Sequence, residues 1–337
     1  MRKFLLFLIS LLVGIGLFTW IGKIVGWQEI KRAFLVFTGW QGLVIFSLTL
    51  LILLIGNWKW KEILKSSGNN IPFFNLFKTY LASFSIRFLA PIILVGAELF
   101  QGYTLKQRNS VAWSKGIASV VIDRILEWTV NFVVIFFGVL IFLLTIGLPP
   151  IKLLIIFWSV FLVFTGGIVY FYLKAFKKES ITKAFGKIFN HQLDNQPLEI
   201  EKEIFNFFKV KKISMWKVVV LSFLRAIVMY FRALFLIFFL GKSIGVLPAL
   251  SVLGFTYLAA IIPIPTALGS HEAIQTFAFN SLNLGASTAT AFAMIIRGAE
   301  LIVALVGLFI LFRMGIDLIK NILFKRVKKI ANKIYEV

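Results

Sequence analysis

The sequence predicts an all-α polytopic membrane protein, and three observations indicate this class: its composition, its long apolar runs and a repeated set of charged residues. Of the 337 residues, 60% are hydrophobic and only 15% are charged, whereas soluble domains are about half apolar and a quarter charged. Several apolar runs approach the roughly 20 residues that a helix needs to cross a bilayer. Long unbroken runs favour helices over a β-barrel, whose strands alternate over short segments.

Six long transmembrane helices are expected. The apolar run after Met1-Arg2-Lys3 resembles a signal peptide, but no small-residue cleavage site follows it, so it is interpreted as a retained first span. The six spans are placed at 4–22, 43–57, 116–146, 151–173, 216–241 and 287–312.

Two further apolar stretches, 79–103 and 250–282, are interpreted as re-entrant helical hairpins. Each contains proline near its middle, with small or charged residues beside it. Proline frees backbone groups and glycine permits a tight turn, and such irregular backbone is tolerated at membrane depth only inside protein or beside a wet cavity. The residues expected to form the hairpin tips are Pro91, Gly96, Pro263 and Pro265.

The basic charge predicts how the chain is oriented. Lysine and arginine number 36 against 14 acidic residues, a net charge of +22. No nucleic-acid motif accompanies the charge, so it is interpreted as cytoplasmic retention and contact with anionic lipid. Basic residues crowd the loop after the second span, with Lys59, Lys61 and Lys65, the insert 174–215 and the tail 313–337. This pattern predicts a multi-pass protein of the cell membrane with both termini in the cytoplasm and no nucleic-acid partner.

The insert 174–215 and the tail 313–337 both carry apolar residues at helical spacing among lysines. Phe205 and Phe208 belong to such a stripe in the insert, and Ile316, Ile319 and Leu323 begin one in the tail. Basic amphipathic helices of this kind bind anionic membrane surfaces. Both segments are therefore expected to anchor the protein at the cytoplasmic surface.

The polar residues of the first hairpin and the following span recur, in the same order and nearly the same spacing, in the second half. The matched pairs are Pro91 with Pro265, Glu98 with Glu272, Gln101 with Gln275, Arg124 with Arg297, and Glu127 with Glu300. Charges inside spans are rare because each is costly in the bilayer. The recurrence predicts an internal duplication, 1–147 and 148–312, and the two hairpins would enter from opposite sides, giving inverted repeats such as transporters use.

The repeated charges predict a site for an anionic group. A guanidinium can grip phosphate with two parallel hydrogen bonds, and a glutamate one helical turn away can hold the arginine in place. Glu98 and Glu272 could be counter-charges or proton carriers. The alternative is that these arginines and glutamates only brace the hairpins against the spans. The candidate substrate-binding residues are Arg124, Arg297, Glu98, Glu272, Glu127, Glu300, Arg232, Gly269, Ser270 and His271.

Metal and cofactor chemistry is not expected. The chain has no cysteine, and its two histidines, His191 and His271, lie far apart in the sequence. Neither a glycine-rich nucleotide loop nor a metal-ligand cluster is present. We therefore predict no metal, no cofactor and no catalytic residue.

Three stretches resemble the family named for the transmembrane region of lysylphosphatidylglycerol synthase, also called the flippase-like domain family. They are Pro91 to Glu98, Ala118 to Glu127, and Pro263 to Glu272 followed by Arg297. The resemblance covers nearly the whole chain, although Gln101 stands near the position where the family's first motif has an arginine. It implies translocation of an aminoacylated phospholipid or a polyprenyl-linked sugar. Family members that also synthesise the lipid carry a soluble transferase domain, and the longest polar insert here is too short for one.

Three functions follow as hypotheses. The first is a flippase or transporter for an anionic lipid headgroup, and so not an enzyme. The second is an accessory subunit that anchors a separate lipid-modifying or glycosyltransferase enzyme. The third is an integral-membrane transferase that acts on a lipid phosphate, with Glu98 and Glu272 as acid and base.

Overall fold

The computed structural model describes residues 39–89, 96–148, 150–182, 195–209, 213–261 and 270–335, and these residues form ten helices and no strand. The all-α class predicted from the sequence is therefore confirmed. In chain order the helices are α1 Trp40–Ser66, α2 Phe73–Leu89, α3 Gly96–Asn109, α4 Trp113–Ile146, α5 Ile151–Lys177, α6 Asn195–Phe207, α7 Ile213–Phe239, α8 Val246–Ile261, α9 Ser270–Ser281 and α10 Ala286–Tyr335.

Five helical segments among the described residues are long and apolar enough to cross a membrane. They are Trp40–Ser66, Trp113–Ile146, Phe157–Lys177, Ile213–Phe239 and Thr288–Ile316. They correspond to five of the six predicted spans, and the sixth, at 4–22, lies outside the described residues. The chain is thus a multi-pass membrane protein.

Helix α1 continues to Ser66, well beyond the end predicted at residue 57. The lysines of this region therefore belong to a helix rather than to a loop. The interpretation of Lys59 as a loop residue is wrong, because its side chain is 1% exposed and its Nζ lies 2.8 Å from the Asp123 carboxylate on α4. The cytoplasmic position of the termini stays a prediction.

Each predicted hairpin contains two helices that pack on each other, α2 with α3 and α8 with α9. The first hairpin begins at Phe73 with α2, six residues before the predicted start of the hairpin at 79, and its second helix, α3, begins at Gly96. The tips, with Pro91, Pro263 and Pro265, lie outside the described residues. Entry and return on one side of the membrane stays a prediction.

The helix pairings of the first half recur in the second. Helix α4 packs along α8, the first arm of the second hairpin, and α10 packs along α2, the first arm of the first hairpin. Similarly, α3 packs on α4 as α9 packs on α10, while α1 and α7 pack against each other. This reciprocal packing interlocks the halves. The division into inverted repeats 1–147 and 148–312 stays a prediction.

A glycine allows close contact at each of the two reciprocal helix pairs, α4 with α8 and α10 with α2. A Cβ on Gly138 of α4 would lie 2.9 Å from the Leu250 carbonyl oxygen and 3.0 Å from Gly254 Cα on α8. A Cβ on Gly307 of α10 would collide with the Leu81 carbonyl oxygen and Ser85 Oγ on α2. At the second crossing Ser85 Oγ also donates a hydrogen bond to the Ala304 carbonyl oxygen at 2.7 Å. Backbones approach this closely in membranes only where side chains are small.

Gly307→Ala is therefore expected to loosen the contact between α10 and α2, at about 1–3 kcal/mol for overpacking. The measurement is thermal unfolding of the purified full-length protein in detergent. Gly315→Ala on the same helix is the matched control, because a Cβ there meets no atom within 4 Å. We expect a lower midpoint for Gly307→Ala alone, and equal midpoints for the two variants would contradict this description of the crossing.

The apolar face of α6 packs inside the protein rather than on a lipid surface. Ile204, Phe205 and Phe208 are buried among residues of α1, α4 and α7. Helix α6 itself is acidic, with three glutamates against Lys202. The predicted surface anchoring by Phe205 and Phe208 is therefore wrong, because the neighbouring helices already cover these rings. Residues 183–194, which hold much of the insert's apolar stripe, lie outside the described residues.

Helix α5 lies at the periphery. Its Phe161 stacks on Phe132 and Phe136 of α4, with ring centroids 4.6 and 4.3 Å apart. Its outer side chains are open, and Val163 is 74% exposed. An apolar helix exposed in this way is suited to contact with lipid.

Candidate functional site

A polar cavity of about 290 Å³ lies where the two halves meet. Three arginines and two glutamates line it from α2, α4, α7 and α10, and α8 and α9 complete the wall. The charged lining residues are Arg87, Glu127, Arg232, Arg297 and Glu300. The uncharged polar lining residues are Asn131, Thr256, Tyr257 and Gln275.

Glu127 is the centre of the first ion-pair network. One of its carboxylate oxygens lies 2.5 Å from Arg124 Nη1 on the same helix, and the other lies 2.5 Å from Arg225 Nη1 on α7. The first contact is the one-turn pair that the sequence predicts. The second contact, with Arg225, was not predicted, because an arginine in an apolar span is equally compatible with a side chain that reaches for the membrane surface. Instead it ties α7 to α4.

Glu98 extends this network to the first hairpin. Its Oε1 lies 3.6 Å from Arg87 Nη1 and 3.8 Å from Arg124 Nε. Gln101 is buried on the same helix, α3. Two guanidinium groups thus lie near Glu98, one from α2 and one from α4.

Arg232 and Glu300 form the second network. Arg232 Nη2 lies 3.2 Å from Glu300 Oε1, and its Nη1 donates a hydrogen bond to Thr49 Oγ1 on α1 at 3.1 Å. The pairing of Glu300 with the arginine of its own helix stays a prediction, and the ion pair with Arg232 adds a contact from α7. Helix α7 thus links both networks, through Arg225 to Glu127 of the first half and through Arg232 to Glu300 of the second.

The described side chains around the cavity carry an excess of positive charge. Three arginines, 87, 232 and 297, line the cavity with two glutamates, 127 and 300, and behind them Arg124 and Arg225 stand against Glu98 and Asp123. Arg232 is 4% exposed, and among the described residues its Nε and the Nη1 of Arg87 have no hydrogen-bond partner. Buried cations and unmet donors are costly unless a counter-charge is close. The cavity is therefore suited to an anion with several acceptor oxygens.

Four of the ten predicted site residues line the cavity: Glu127, Arg232, Arg297 and Glu300. Arg124 and Glu98 lie behind Glu127 in its ion-pair network. Gly269 lies outside the described residues, and Ser270, His271 and Glu272 are in α9 with side chains outside the described ones.

Several residues of the site were not predicted from the sequence. Arg87 and Arg225 carry a usable signal, because a charge inside an apolar run is rare. Gln275 could also have been found from the sequence, because it is the repeat partner of Gln101. Thr256 and Tyr257 have no such sequence signal, because a single polar residue on an apolar helix is common in packed cores. No group of three metal-ligating side chains occurs among the described residues.

Comparison with known proteins places the chain in a family. The family model of the lysylphosphatidylglycerol synthase transmembrane region matches residues 7–307, which include every residue of the cavity. The chain belongs to this family. A membrane protein of the UPF0104 group from Methanocaldococcus jannaschii is 27% identical over 269 residues, which are 76% of this chain and 79% of that protein. No solved structure matches at a significant level.

Proposed function

We propose that this protein moves an anionic lipid headgroup across the membrane and that the arginine-rich cavity holds the lipid phosphate during transfer. One observation carries the proposal: three arginines from three different helices line, with two glutamates, a cavity walled by both halves of the chain. The name of the family, which refers to a phospholipid synthase, supports a lipid substrate.

Phosphate fits this cavity better than a neutral sugar does. Guanidinium groups bind phosphate oxygens through paired, charge-assisted hydrogen bonds, which are about twice as strong as neutral ones. Arg87, Arg232 and Arg297 approach the cavity from three different helices, so their donors converge on one volume. An aminoacyl-phospholipid and a polyprenyl-phosphate-linked sugar share this phosphate, and either class fits the proposal.

The position of the cavity suits transport. In transporters built from inverted repeats, substrate sites lie between the repeats, and rocking of one repeat against the other opens the site to each side in turn. Here α7 contacts a glutamate of each half, Glu127 and Glu300. A change in either contact would shift one half of the protein relative to the other. Binding of a lipid in the cavity would therefore be coupled to the relative position of the two halves.

The proposal is transport rather than synthesis. The described residues form helices of a membrane protein, with no soluble transferase domain among them. If the substrate is made or used by a lipid-modifying or glycosyltransferase enzyme, that enzyme is a separate partner. The lipid and its enzyme remain proposals.

The direct test is lipid movement by the purified full-length protein in liposomes. Phosphatidylglycerol with a fluorescent acyl chain is placed in both leaflets, and dithionite is added outside. We expect the protein to expose inner-leaflet phosphatidylglycerol to dithionite much faster than in protein-free liposomes. The same label on phosphatidylcholine is the control for leakage and nonspecific scrambling. A rate equal to that of protein-free liposomes, for phosphatidylglycerol and for a polyprenyl phosphate, would reject the proposal.

A further inference from the structure

An apolar groove of about 280 Å³ runs between α4, α7 and α8. Its floor is buried, with Ala226 7% and Leu253 3% exposed. Its rim is open, because Ile227 is 49% exposed and Leu247 is 67% exposed. The remaining lining residues are Val134, Phe223, Tyr230, Val246 and Leu250. The groove thus begins inside the protein and opens on its outer, membrane-facing surface.

Tyr230 is the one residue with a polar side-chain group in this lining, and its hydroxyl is already occupied. It donates a hydrogen bond to the Val246 carbonyl oxygen at 2.5 Å. The bond joins α7 to the first turn of α8 and leaves hydrocarbon as the surface that the groove offers. A polar occupant would therefore lose hydrogen bonds to water and gain none in return.

The groove adjoins the polar cavity on all three helices. Residues three or four apart on a helix are neighbours, about 5–6 Å between Cβ atoms, and one turn separates groove residues from cavity residues. These neighbours are Val134 and Asn131 on α4, Ala226 and Met229 on α7, and Leu253 and Tyr257 on α8.

A small polar pocket of about 10 Å³ lies between the two spaces. Ala226 lines both this pocket and the groove, while Glu127, Asn131, Met229 and Tyr257 line both the pocket and the polar cavity. The groove and the polar cavity are therefore neighbouring spaces that share walls with one small pocket.

We propose that the groove binds one hydrocarbon chain of the lipid whose phosphate occupies the polar cavity, an inference that rests on the proposed function. The phosphate requires the charged interior, whereas the chain must stay in an apolar environment while the headgroup moves. A groove that opens sideways and lies one helical turn from the cavity satisfies both requirements. The lipid thus enters between α7 and α8, with its chain along the α7 face from Phe223 to Tyr230.

Two variants fill the groove from different sides. Ala226→Leu adds bulk at the buried floor, and Ile227→Trp covers the exposed rim, where a larger side chain is less able to disturb folding. Val163→Trp on the outer face of α5 is the matched control, because Val163 is 74% exposed and belongs to neither site. Each full-length protein is placed in phosphatidylcholine nanodiscs, so that partition of a probe into the bilayer is the same for all of them.

The probes separate the headgroup from the chain. Glycerol phosphate presents the phosphate alone, and dioctanoyl phosphatidylglycerol presents the phosphate with short chains. Each buried methylene strengthens binding by about fourfold. We therefore expect both groove variants to bind the lipid at least about tenfold more weakly than the wild type, the equivalent of fewer than two methylenes. Their affinity for glycerol phosphate is expected to match that of the wild type and of Val163→Trp.

The outcomes distinguish the groove from the phosphate site. If Ile227→Trp and Ala226→Leu both bind the lipid as tightly as the wild type does, the groove proposal is overturned and the phosphate site stands. If the wild type binds neither probe, the proposed function is rejected and the groove proposal with it. Loss of lipid affinity in the folded rim variant, with glycerol phosphate binding retained, supports the chain site.

Discussion

Arg297→Lys is expected to slow lipid translocation by about tenfold to a hundredfold while the protein remains folded. Arg297 lines the cavity from α10. Lysine keeps the charge but lacks the planar pair of donors that grips phosphate, and a hydrogen bond to a charged group contributes about 1.5–3 kcal/mol. The measurement is the liposome translocation rate, normalised to the amount of folded protein in the membrane.

Arg124→Lys is the informative comparison, because the sequence treats Arg124 and Arg297 as equivalent and the structure does not. Arg124 is bonded to Glu127 and lies near Glu98, outside the cavity lining. Lysine can maintain such a contact, so we expect near-normal translocation. Arg313→Lys, at an exposed position on α10, controls for a general effect of the substitution. Wild-type rates for Arg297→Lys would reject phosphate recognition by this residue and leave the bracing role.

Glu127→Gln is expected to destabilise the protein by about 3–5 kcal/mol, since it removes the carboxylate that Arg124 and Arg225 share. Both guanidinium groups would remain in the interior with less negative charge nearby to offset their own positive charge. Glu300→Gln is expected to cost less, because Arg232 retains its hydrogen bond to Thr49 and Glu300 is 27% exposed. The measurement is thermal unfolding in detergent, followed by the fraction that stays monodisperse.

The double variant Glu127→Gln with Arg225→Gln tests whether charge pairing is the cause. Groups that share a contact do not contribute additively, and removal of both partners leaves fewer uncompensated charges. We expect the double variant to recover much of the lost stability. A double variant less stable than Glu127→Gln would show that Arg225 stabilises the fold by packing rather than through Glu127.

The sequence was sufficient for the helices whose apolar runs are long and unbroken. The spans that became α4 and α7 were located to within a few residues. The end of α1 was not located correctly, because Lys59, Lys61 and Lys65 interrupt the apolar run. Burial of Lys59 depends on Asp123, which is distant in the chain and lies beside it only after α1 packs on α4. No local pattern carries that information.

The site residues that recur in the two halves of the sequence could be predicted. The contacts that join helices of different halves could not. Glu127, Arg297 and Glu300 were found because charged residues recur in order. Arg225 was not found, since it lies on α7, whose arginines have no match in the first half, whereas Arg232 on the same helix was predicted from its place near the middle of the span. The amphipathic stripe of α6 indicated a surface, but a sequence pattern does not distinguish a lipid surface from a protein surface.

A structure of the full-length protein in nanodiscs that contain phosphatidylglycerol would test the central claim most directly. The account predicts a lipid phosphate between the guanidinium groups of Arg87, Arg232 and Arg297, with one acyl chain passing Ala226 into the groove between α7 and α8. A cavity without lipid phosphate, with phosphatidylglycerol bound only on outer surfaces such as that of α5, would contradict it.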